Sequence, residues 1–146
     1  MINYPVSFFG ESLSTSGIAS PWKVKSSHFN STCSIPKEFE GPGSDLSPED
    51  YFLLALQNCF VATFKVFAKY SALEFEELLV HAELVVDKDS DAKPFMKLLN
   101  LKIDLKNASD LKKATLLVKK TLENGFILRS VKTQITTEVN ITVYQS

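Results

Sequence analysis

Cysteine is scarce in this chain of 146 residues, which holds only Cys33 and Cys59. Two thiols are too few for the disulfide scaffold of a small secreted protein, and a reducing compartment argues against a permanent bridge between them. Each cysteine must therefore be interpreted as either a packed thiol or a reactive one.

The chain also lacks an excess of charge of either sign. The net charge is -1, and lysines nowhere form a block, while Arg129 is the single arginine. Proteins that bind nucleic acid or anionic membranes carry a basic patch. We therefore expect neither nucleic acid nor a membrane as partner, and instead a small molecule or a protein.

Signals for export and for metal binding are missing as well. Met1 to Gly10 has no basic start followed by a long apolar stretch, so we expect a cytoplasmic protein. His28 and His81 lie far apart in the sequence with no paired cysteine or carboxylate, which predicts no metal site and no catalytic histidine. No cofactor is implied. With 45% hydrophobic and 23% charged residues, the composition fits one domain over residues 1–146.

Turn residues punctuate the N-terminal third of the chain, where eight prolines and glycines lie within residues 1–46. Short runs rich in β-branched and aromatic residues separate them, such as Val6 to Phe9 and Trp22 to Lys25. This pattern predicts a β-meander of three strands.

A helix is predicted to begin where this pattern ends. Ser47 can act as N-cap, Pro48 suits the first helical position, and Glu49 and Asp50 place negative charge near the positive end of the helix dipole. The helix is expected to run to about Tyr70.

The predicted helix is apolar on nearly all sides, which is typical of a buried central helix or of a membrane span. Gln57 and Asn58 at its middle, Lys65 further on and the acidic start favour the buried helix. Because one small sheet cannot cover such a helix, we expect it to be shared between the two subunits of a homodimer.

The rest of the chain predicts two strands, a helix and a last strand. Leu79 to Asp87 and Leu98 to Lys106 alternate apolar and polar residues, as strands with one wet side do. An amphipathic helix is predicted from an N-cap at Ser109 to Asn124, with Gly125 as its stop. Val131 to Tyr144 has a strict period of two. The fold class is therefore α+β, with the order three strands, helix, two strands, helix, strand.

One stretch resembles a known family. It consists of the turn Gly41-Pro42-Gly43, the helix start Ser47-Pro48-Glu49, the apolar run Leu53 to Gln57 and then Asn58-Cys59-Phe60. The OsmC/Ohr superfamily (organic hydroperoxide resistance) has a glycine-rich turn, a Pro-Glu helix start and a cysteine ten residues after the glutamate. The order of the later elements is similar to the C-terminal half of that family, so the resemblance covers the whole chain.

The resemblance implies an intertwined dimer whose central helices pack back to back, with two active sites at the interface. A peroxidatic cysteine attacks the peroxide O–O bond and becomes a sulfenic acid, which a second cysteine near the C-terminal helix resolves. An external thiol or a lipoylated protein then reduces the disulfide. An arginine from the N-terminal β region and the glutamate activate the thiolate. On this chain the resemblance gives Cys59 as nucleophile and Glu49 as carboxylate.

The sequence departs from that pattern in two ways. Its N-terminal half has no arginine, so Lys23, Lys25 or Lys37 would have to supply the cation, and a lysine lacks the bidentate fork of arginine. Gly125 occupies the position expected for the resolving cysteine. In addition, ten helical residues separate Glu49 from Cys59 by about 15 Å, so their cooperation requires a second subunit or a frayed helix start.

Several residues keep two interpretations. Cys33 is either a packed thiol or an alternative resolving cysteine, Cys59 a nucleophile or a core thiol, and Glu49 a functional carboxylate or a plain helix charge. Gln57 and Asn58 are candidates for a polar pocket beside Cys59. Aromatic side chains either wall a ligand pocket or belong to the core; they are Tyr51, Phe52, Phe60, Phe64 and Phe67.

Two functions are therefore expected from the sequence. The first is a thiol-dependent peroxide reductase that uses Cys59 with an external thiol. The second is a catalytically degenerate dimer that binds a small hydrophobic ligand at its interface.

Overall fold

The structure is a computed structural model that describes residues 2–145. Its element order is the one that the sequence predicts, and the fold class is α+β. The chain divides into two compact units, Met1–Tyr51 and Phe52–Ser146. A single domain over residues 1–146 stays a prediction.

The first unit contains an antiparallel sheet of three strands in the order β1-β2-β3. These are β1 Gly10–Leu13, β2 Trp22–Ser26 and β3 Phe29–Cys33. The prediction of a strand at Val6 to Phe9 is wrong, because β1 pairs from Gly10 opposite Ser26, where β2 ends. Residues 2–9 therefore have no partner in this sheet, and Phe8 is 92% exposed.

The glycine-rich turn before the first helix has a steric cause. A Cβ on Gly41 would lie 2.1 Å from the carbonyl oxygen of Ile35, which no side chain tolerates. Gly43 has a φ of +58°, and its Cβ would meet the side chain of Lys37 at 2.7 Å. Glycine is required at both positions because the chain folds back onto residues 35–37.

Helix α1 runs over Pro48–Tyr70, as predicted. The hydroxyl of Ser47 accepts a hydrogen bond from the amide of Asp50 at 3.1 Å, and the carboxylate of Asp50 accepts one from the amide of Ser47 at 2.9 Å. This reciprocal pair satisfies amides that the helix start leaves unpaired. The N-cap prediction is confirmed, and Asp50 provides the second half of the cap.

The second unit contains a sheet in the order β4-β5-β6. Strands β4 Glu77–Lys88 and β5 Pro94–Ala108 are antiparallel, and β6 Gln134–Val143 lies parallel to β5. Helix α2, Leu111–Asn124, makes the crossover that a parallel pair requires.

Apolar side chains of α1 and β5 form much of the core of the second unit. They recur every four residues on α1 and every second residue on β5, and they are Leu56, Phe60, Phe64, Ala68, Leu99, Leu101, Ile103 and Leu105. Phe60 and Phe64 stack with ring centroids 6.0 Å apart. By length and composition alone α1 could also cross a membrane, a criterion that core helices meet as well.

The N-cap of α2 is Asp110, so the prediction of Ser109 is wrong by one residue. The carboxylate of Asp110 accepts a hydrogen bond from the amide of Lys113 at 2.9 Å. The hydroxyl of Ser109 instead accepts a hydrogen bond from the amide of Glu74 at 3.0 Å. The helix does stop before Gly125, but that glycine has a φ of -59° and is not left-handed.

Candidate functional site

Cys59 lies on α1 at the border of the core of the second unit. Its side chain is half-buried and packs against the apolar cluster, and the thiol is free. Gly125, directly after α2, is its neighbour: a Cβ on that glycine would lie 3.1 Å from the Cys59 sulfur. The structure therefore brings together two positions, 59 and 125, that are 66 residues apart in the sequence (125 − 59).

That distance has a chemical meaning. In a disulfide each Cβ lies about 3 Å from the partner's sulfur, because the S–S bond is about 2.04 Å long. The backbone at Gly125 thus stands where a bridging cysteine would stand. Since the residue is glycine, a sulfenic acid on Cys59 has no thiol at this position to react with.

Leu128 and Thr121 complete the surroundings of Gly125, although neither residue stands out in the sequence. A Cβ at position 125 would lie 2.9 Å from Cδ1 of Leu128 and 3.2 Å from the carbonyl oxygen of Thr121. Both residues are buried. The only sequence signal was their spacing of three and four residues from Gly125, which a 3-10 turn and a helix end bring close.

Glu49 does not take part in capping α1, and one of its carboxylate oxygens is buried without a hydrogen-bond partner among residues 2–145. Asp50 carries the capping hydrogen bonds of α1, whereas the Oε2 atom of Glu49 is buried without a hydrogen-bond partner among residues 2–145. The hydroxyl of Tyr51, two residues later, is in the same situation. One oxygen of the Glu49 carboxylate is thus shielded from solvent without a partner, which is unfavourable for a charged group, so this observation favours the functional interpretation of Glu49.

Cys33, at the end of β3, is an enclosed thiol. It is 3% exposed, and Ser34 beside it is fully buried. Burial is the main cause that raises the pKa of Cys33; a backbone hydrogen bond at Ser34 lowers this pKa in part, and the carboxylates of Glu49, Asp45 and Asp50 each raise it by a smaller amount. This environment favours the packed thiol over a resolving cysteine.

The side-chain amides of Gln57 and Asn58 donate hydrogen bonds to backbone carbonyls. The Nε2 atom of Gln57 donates to the carbonyl of Val80 on β4 at 2.6 Å, and Nδ2 of Asn58 donates to the carbonyl of Leu54 at 2.9 Å. The expectation that they line a polar pocket beside Cys59 is therefore not supported. The side chain of Gln57 connects α1 to β4, and the side chain of Asn58 is exposed and bonds to α1 itself.

The candidate cations lie in the first unit. Lys23 and Lys25 both project from the exposed side of β2, while Trp22 and Val24 are half-buried on the other side, as their alternation predicts. Lys37 opens a 3-10 helix over Lys37–Phe39. None of the three forms an ion pair among the residues that the structure describes.

The histidines, cysteines and carboxylates of residues 2–145 are the possible metal ligands. Among the described residues no three of His, Cys, Asp and Glu lie close enough to hold a metal ion. His81 is exposed on β4 and His28 is exposed at the turn between β2 and β3.

Comparison with known proteins identifies the family. The family model for OsmC-like protein matches residues 41–140, which include the glycine-rich turn, Glu49, Cys59 and Gly125. This chain belongs to the OsmC-like family. An uncharacterized Bacillus subtilis protein, YmaD, is 26% identical over 125 residues, which cover 82% of this chain and 83% of that protein.

Solved structures agree on the fold. An OsmC-like protein of unknown function from Vibrio cholerae superposes with a TM-score of 0.81 at 18% identity, covering 93% of this chain and 100% of that one. An organic hydroperoxide resistance protein from Elizabethkingia anophelis gives a TM-score of 0.76 at 15% identity, covering 98% of this chain and 100% of that one. The predicted OsmC-like fold is confirmed.

Proposed function

We propose that this protein is a thiol-dependent peroxide reductase in which Cys59 reduces an organic hydroperoxide and an external thiol restores Cys59. The observation that carries the proposal is the position of Gly125, where an added Cβ would lie 3.1 Å from the Cys59 sulfur, as the Cβ of a disulfide partner would, although glycine provides no thiol. Membership of a family that includes organic hydroperoxide resistance proteins supports the substrate class.

The chemistry has two stages. The Cys59 thiolate attacks one peroxide oxygen, the O–O bond breaks, and the alkoxide leaves and takes a proton to become the alcohol. Cys59 is now a sulfenic acid. An external thiol attacks its sulfur, water leaves, and a mixed disulfide forms; a second thiol then releases Cys59 and carries away the new disulfide.

In this proposal Glu49 of one subunit acts on Cys59 of the other subunit of a homodimer. Because α1 is intact from Pro48 and capped by Ser47 and Asp50, its start is not frayed. The carboxylate that serves Cys59 of one protomer would then come from the partner subunit. A lysine from the N-terminal sheet would pair with it and with the thiolate, and Lys25 is our first choice.

The test is stopped-flow consumption of cumene hydroperoxide and hydrogen peroxide with dithiothreitol or dihydrolipoamide as reductant. We expect turnover by the native protein and none by Cys59→Ser, with cumene hydroperoxide consumed faster. Replacing Lys23, Lys25 and Lys37 one at a time by Met should shift the alkylation of Cys59 to higher pH for one of them. Equal and negligible rates for native protein and Cys59→Ser would overturn the proposal.

The second function expected from the sequence, binding of a hydrophobic ligand, receives less support. Phe60 and Phe64 are fully buried in the core, and Phe75 packs edge-on against Phe64 with ring centroids 5.7 Å apart. These aromatic side chains fill space and do not line a cavity. The ligand-binding function would become the better proposal only if Cys59 proves inert toward peroxides.

A further inference from the structure

A second concave site lies at the C-terminal end of α1, away from Cys59. The α1-end pocket, as we call it, has a volume of about 420 Å³, and its lining includes Lys65, Ala68, Lys69, Leu73, Glu74 and Tyr144. Ala68 follows Cys59 by nine residues on α1, which is about 14 Å along the helix axis. The pocket is therefore separate from the site at Cys59.

Backbone hydrogen bonds fix the walls of this pocket. The amide of Leu73 donates to the carbonyl of Ala68 at 2.9 Å, and Ala72 between them is left-handed at a φ of +51°, so that α1 ends in a Schellman motif. The amide of Ser109 donates to the carbonyl of Glu74 at 2.9 Å, and the hydroxyl of Ser109 accepts from the amide of Glu74 at 3.0 Å. The pocket is thus preformed, as small-molecule sites usually are.

The floor of the pocket is apolar and its wall is aromatic. Ala68 and Leu73 are 2% and 5% exposed, whereas Tyr144, from the segment after β6, is 66% exposed. The amide of Tyr144 donates to the carbonyl of Ala108 at 3.4 Å, which holds this segment beside β5. A hydrocarbon chain can therefore lie on the floor against the ring of Tyr144.

Two ammonium groups flank this floor. Lys65 and Lys69 lie one helical turn apart on α1, both are exposed, and neither forms an ion pair among residues 2–145. Glu74 is the one carboxylate in the lining, so two positive charges face one negative charge. The partial negative charge at the end of α1, about half a unit, reduces this excess without reversing it. The complementary ligand group is an anion.

A second copy of the chain is a less suitable occupant. The exposed apolar side of α1 carries Val66 and Tyr70, and each of these residues lies about 100° around the helix from the lysine that precedes it. Burying Lys65 and Lys69 in an interface would leave two charges without a partner, which is costly. The pocket therefore lies beside such an interface and stays open to a small molecule.

We propose that the α1-end pocket binds a monocarboxylate with an aliphatic chain. Its carboxylate pairs with Lys65 and Lys69, and its chain lies on Leu73 and Ala68 against Tyr144. The volume of the pocket is within the range of small-ligand sites, about 300–1,000 Å³. This inference does not depend on the chemistry proposed for Cys59.

The test is a titration of the isotope-labelled protein with sodium octanoate, followed by two-dimensional amide NMR spectra. Saturable shifts should centre on the amides of residues 68–75 and 144. Octylamine, which has the same chain length and the opposite charge, should bind about tenfold more weakly. Acetate, which has the charge without the chain, should also bind about tenfold more weakly, because it buries almost no apolar surface.

Charge removal locates the carboxylate. Lys65→Gln with Lys69→Gln should weaken octanoate binding about tenfold, because two contacts between exposed opposite charges are lost. The matched control, Lys119→Gln with Lys120→Gln on α2, changes the net charge equally and should keep the native affinity. All four lysines are exposed, so both variants should keep the dispersed amide spectrum of the native fold.

Four results would overturn the inference. An absence of saturable shifts would mean that the pocket binds no such ligand, and equal weakening in both double variants would mean that net charge alone acts. Octylamine that binds as tightly as octanoate would remove the role of the lysines. Shifts centred on Val66 and Tyr70 would mean that octanoate covers the exposed apolar side of α1. Each result is independent of whether the protein consumes peroxide.

Discussion

Gly125 is the residue whose role the sequence and the structure define together. The resemblance to the family marks position 125 as the place of a resolving cysteine, and in the structure a Cβ added at this position would lie 3.1 Å from the Cys59 sulfur. The sequence could predict this pair only through the resemblance, because positions far apart in the chain meet by tertiary folding. Leu128 and Thr121, which complete the surroundings of Gly125, carry no sequence signal beyond their spacing from it.

Gly125→Cys should therefore give the chain an intramolecular disulfide with Cys59 after one equivalent of peroxide. The new Cβ must displace Cδ1 of Leu128, now 2.9 Å away, and such overpacking costs about 1–3 kcal/mol of stability. Peptide mapping under non-reducing conditions should link residues 59 and 125. The control is Asn124→Cys, an exposed neighbouring position that should not form the bridge; a bridge in the control alone would contradict the assigned geometry.

Cys33 should resist alkylation at neutral pH. Burial raises its pKa above the ordinary 9.0, as do the carboxylates around it, so the reactive thiolate forms only at higher pH. Iodoacetamide labelling followed by mass spectrometry should modify Cys59 first, and Cys33 should react far faster in the urea-unfolded chain. A Cys33–Cys59 disulfide formed by one equivalent of peroxide would contradict this prediction.

The same pKa shift has a consequence for stability. A raised pKa in the folded state means that folding favours the protonated thiol. The stability from the buried Cys33 is therefore fully present below about pH 9.0 and is lost as the pH rises through the higher folded pKa. Cys33→Ala should remove this alkaline loss, as measured by urea unfolding between neutral and alkaline pH.

At the scale of the elements, local sequence signals predicted where helix α1 begins. They did not predict the bounds of strands whose extent depends on pairing with another strand. Helix α1 begins at Pro48 as expected, because the Ser47 cap and the proline act within one turn. Strand β5 is longer than Leu98 to Lys106, since a bulge at Val85 and Val86 lets its pairing with β4 continue. The place of β1 likewise depends on the length of β2, which periodicity does not reveal.

The start of helix α2 allows a direct test of which of two adjacent residues, Ser109 or Asp110, is its N-cap. Ser109 and Asp110 are both residues that cap helices, so composition does not separate them. Because the Asp110 carboxylate caps α2, Asp110→Ala should lower the free energy of unfolding by about 1 kcal/mol. Helix capping predicts no such loss for Ser109→Ala, whose hydroxyl accepts a hydrogen bond from the exposed amide of Glu74. Urea unfolding of both variants decides, and a larger loss for Ser109→Ala would contradict the cap.

At the scale of the whole molecule, the apolar surface of α1 predicts a second copy of the chain. Only 28% of its most apolar 18-residue window is buried within one chain, and Leu54, Val66 and Tyr70 are 38%, 50% and 83% exposed. A helix that is apolar all round is normally covered, and a symmetric pair of such helices covers both at once. We therefore expect a homodimer at micromolar concentration in sedimentation equilibrium.

The position of that interface can be tested with one type of substitution at two places. Val66→Glu puts a charge on the exposed apolar side of α1 and should shift the protein toward monomer, because an unpaired carboxylate would be buried between the two helices. The matched control is Val139→Glu on β6, where the valine is 41% exposed, and it should leave the dimer intact. If Glu49 serves Cys59 of the partner subunit, Val66→Glu should also slow peroxide consumption in proportion to the monomer that it creates, while Val139→Glu keeps the native rate. A native protein that sediments as a monomer would refute both the shared helix and the catalytic role of the partner's carboxylate.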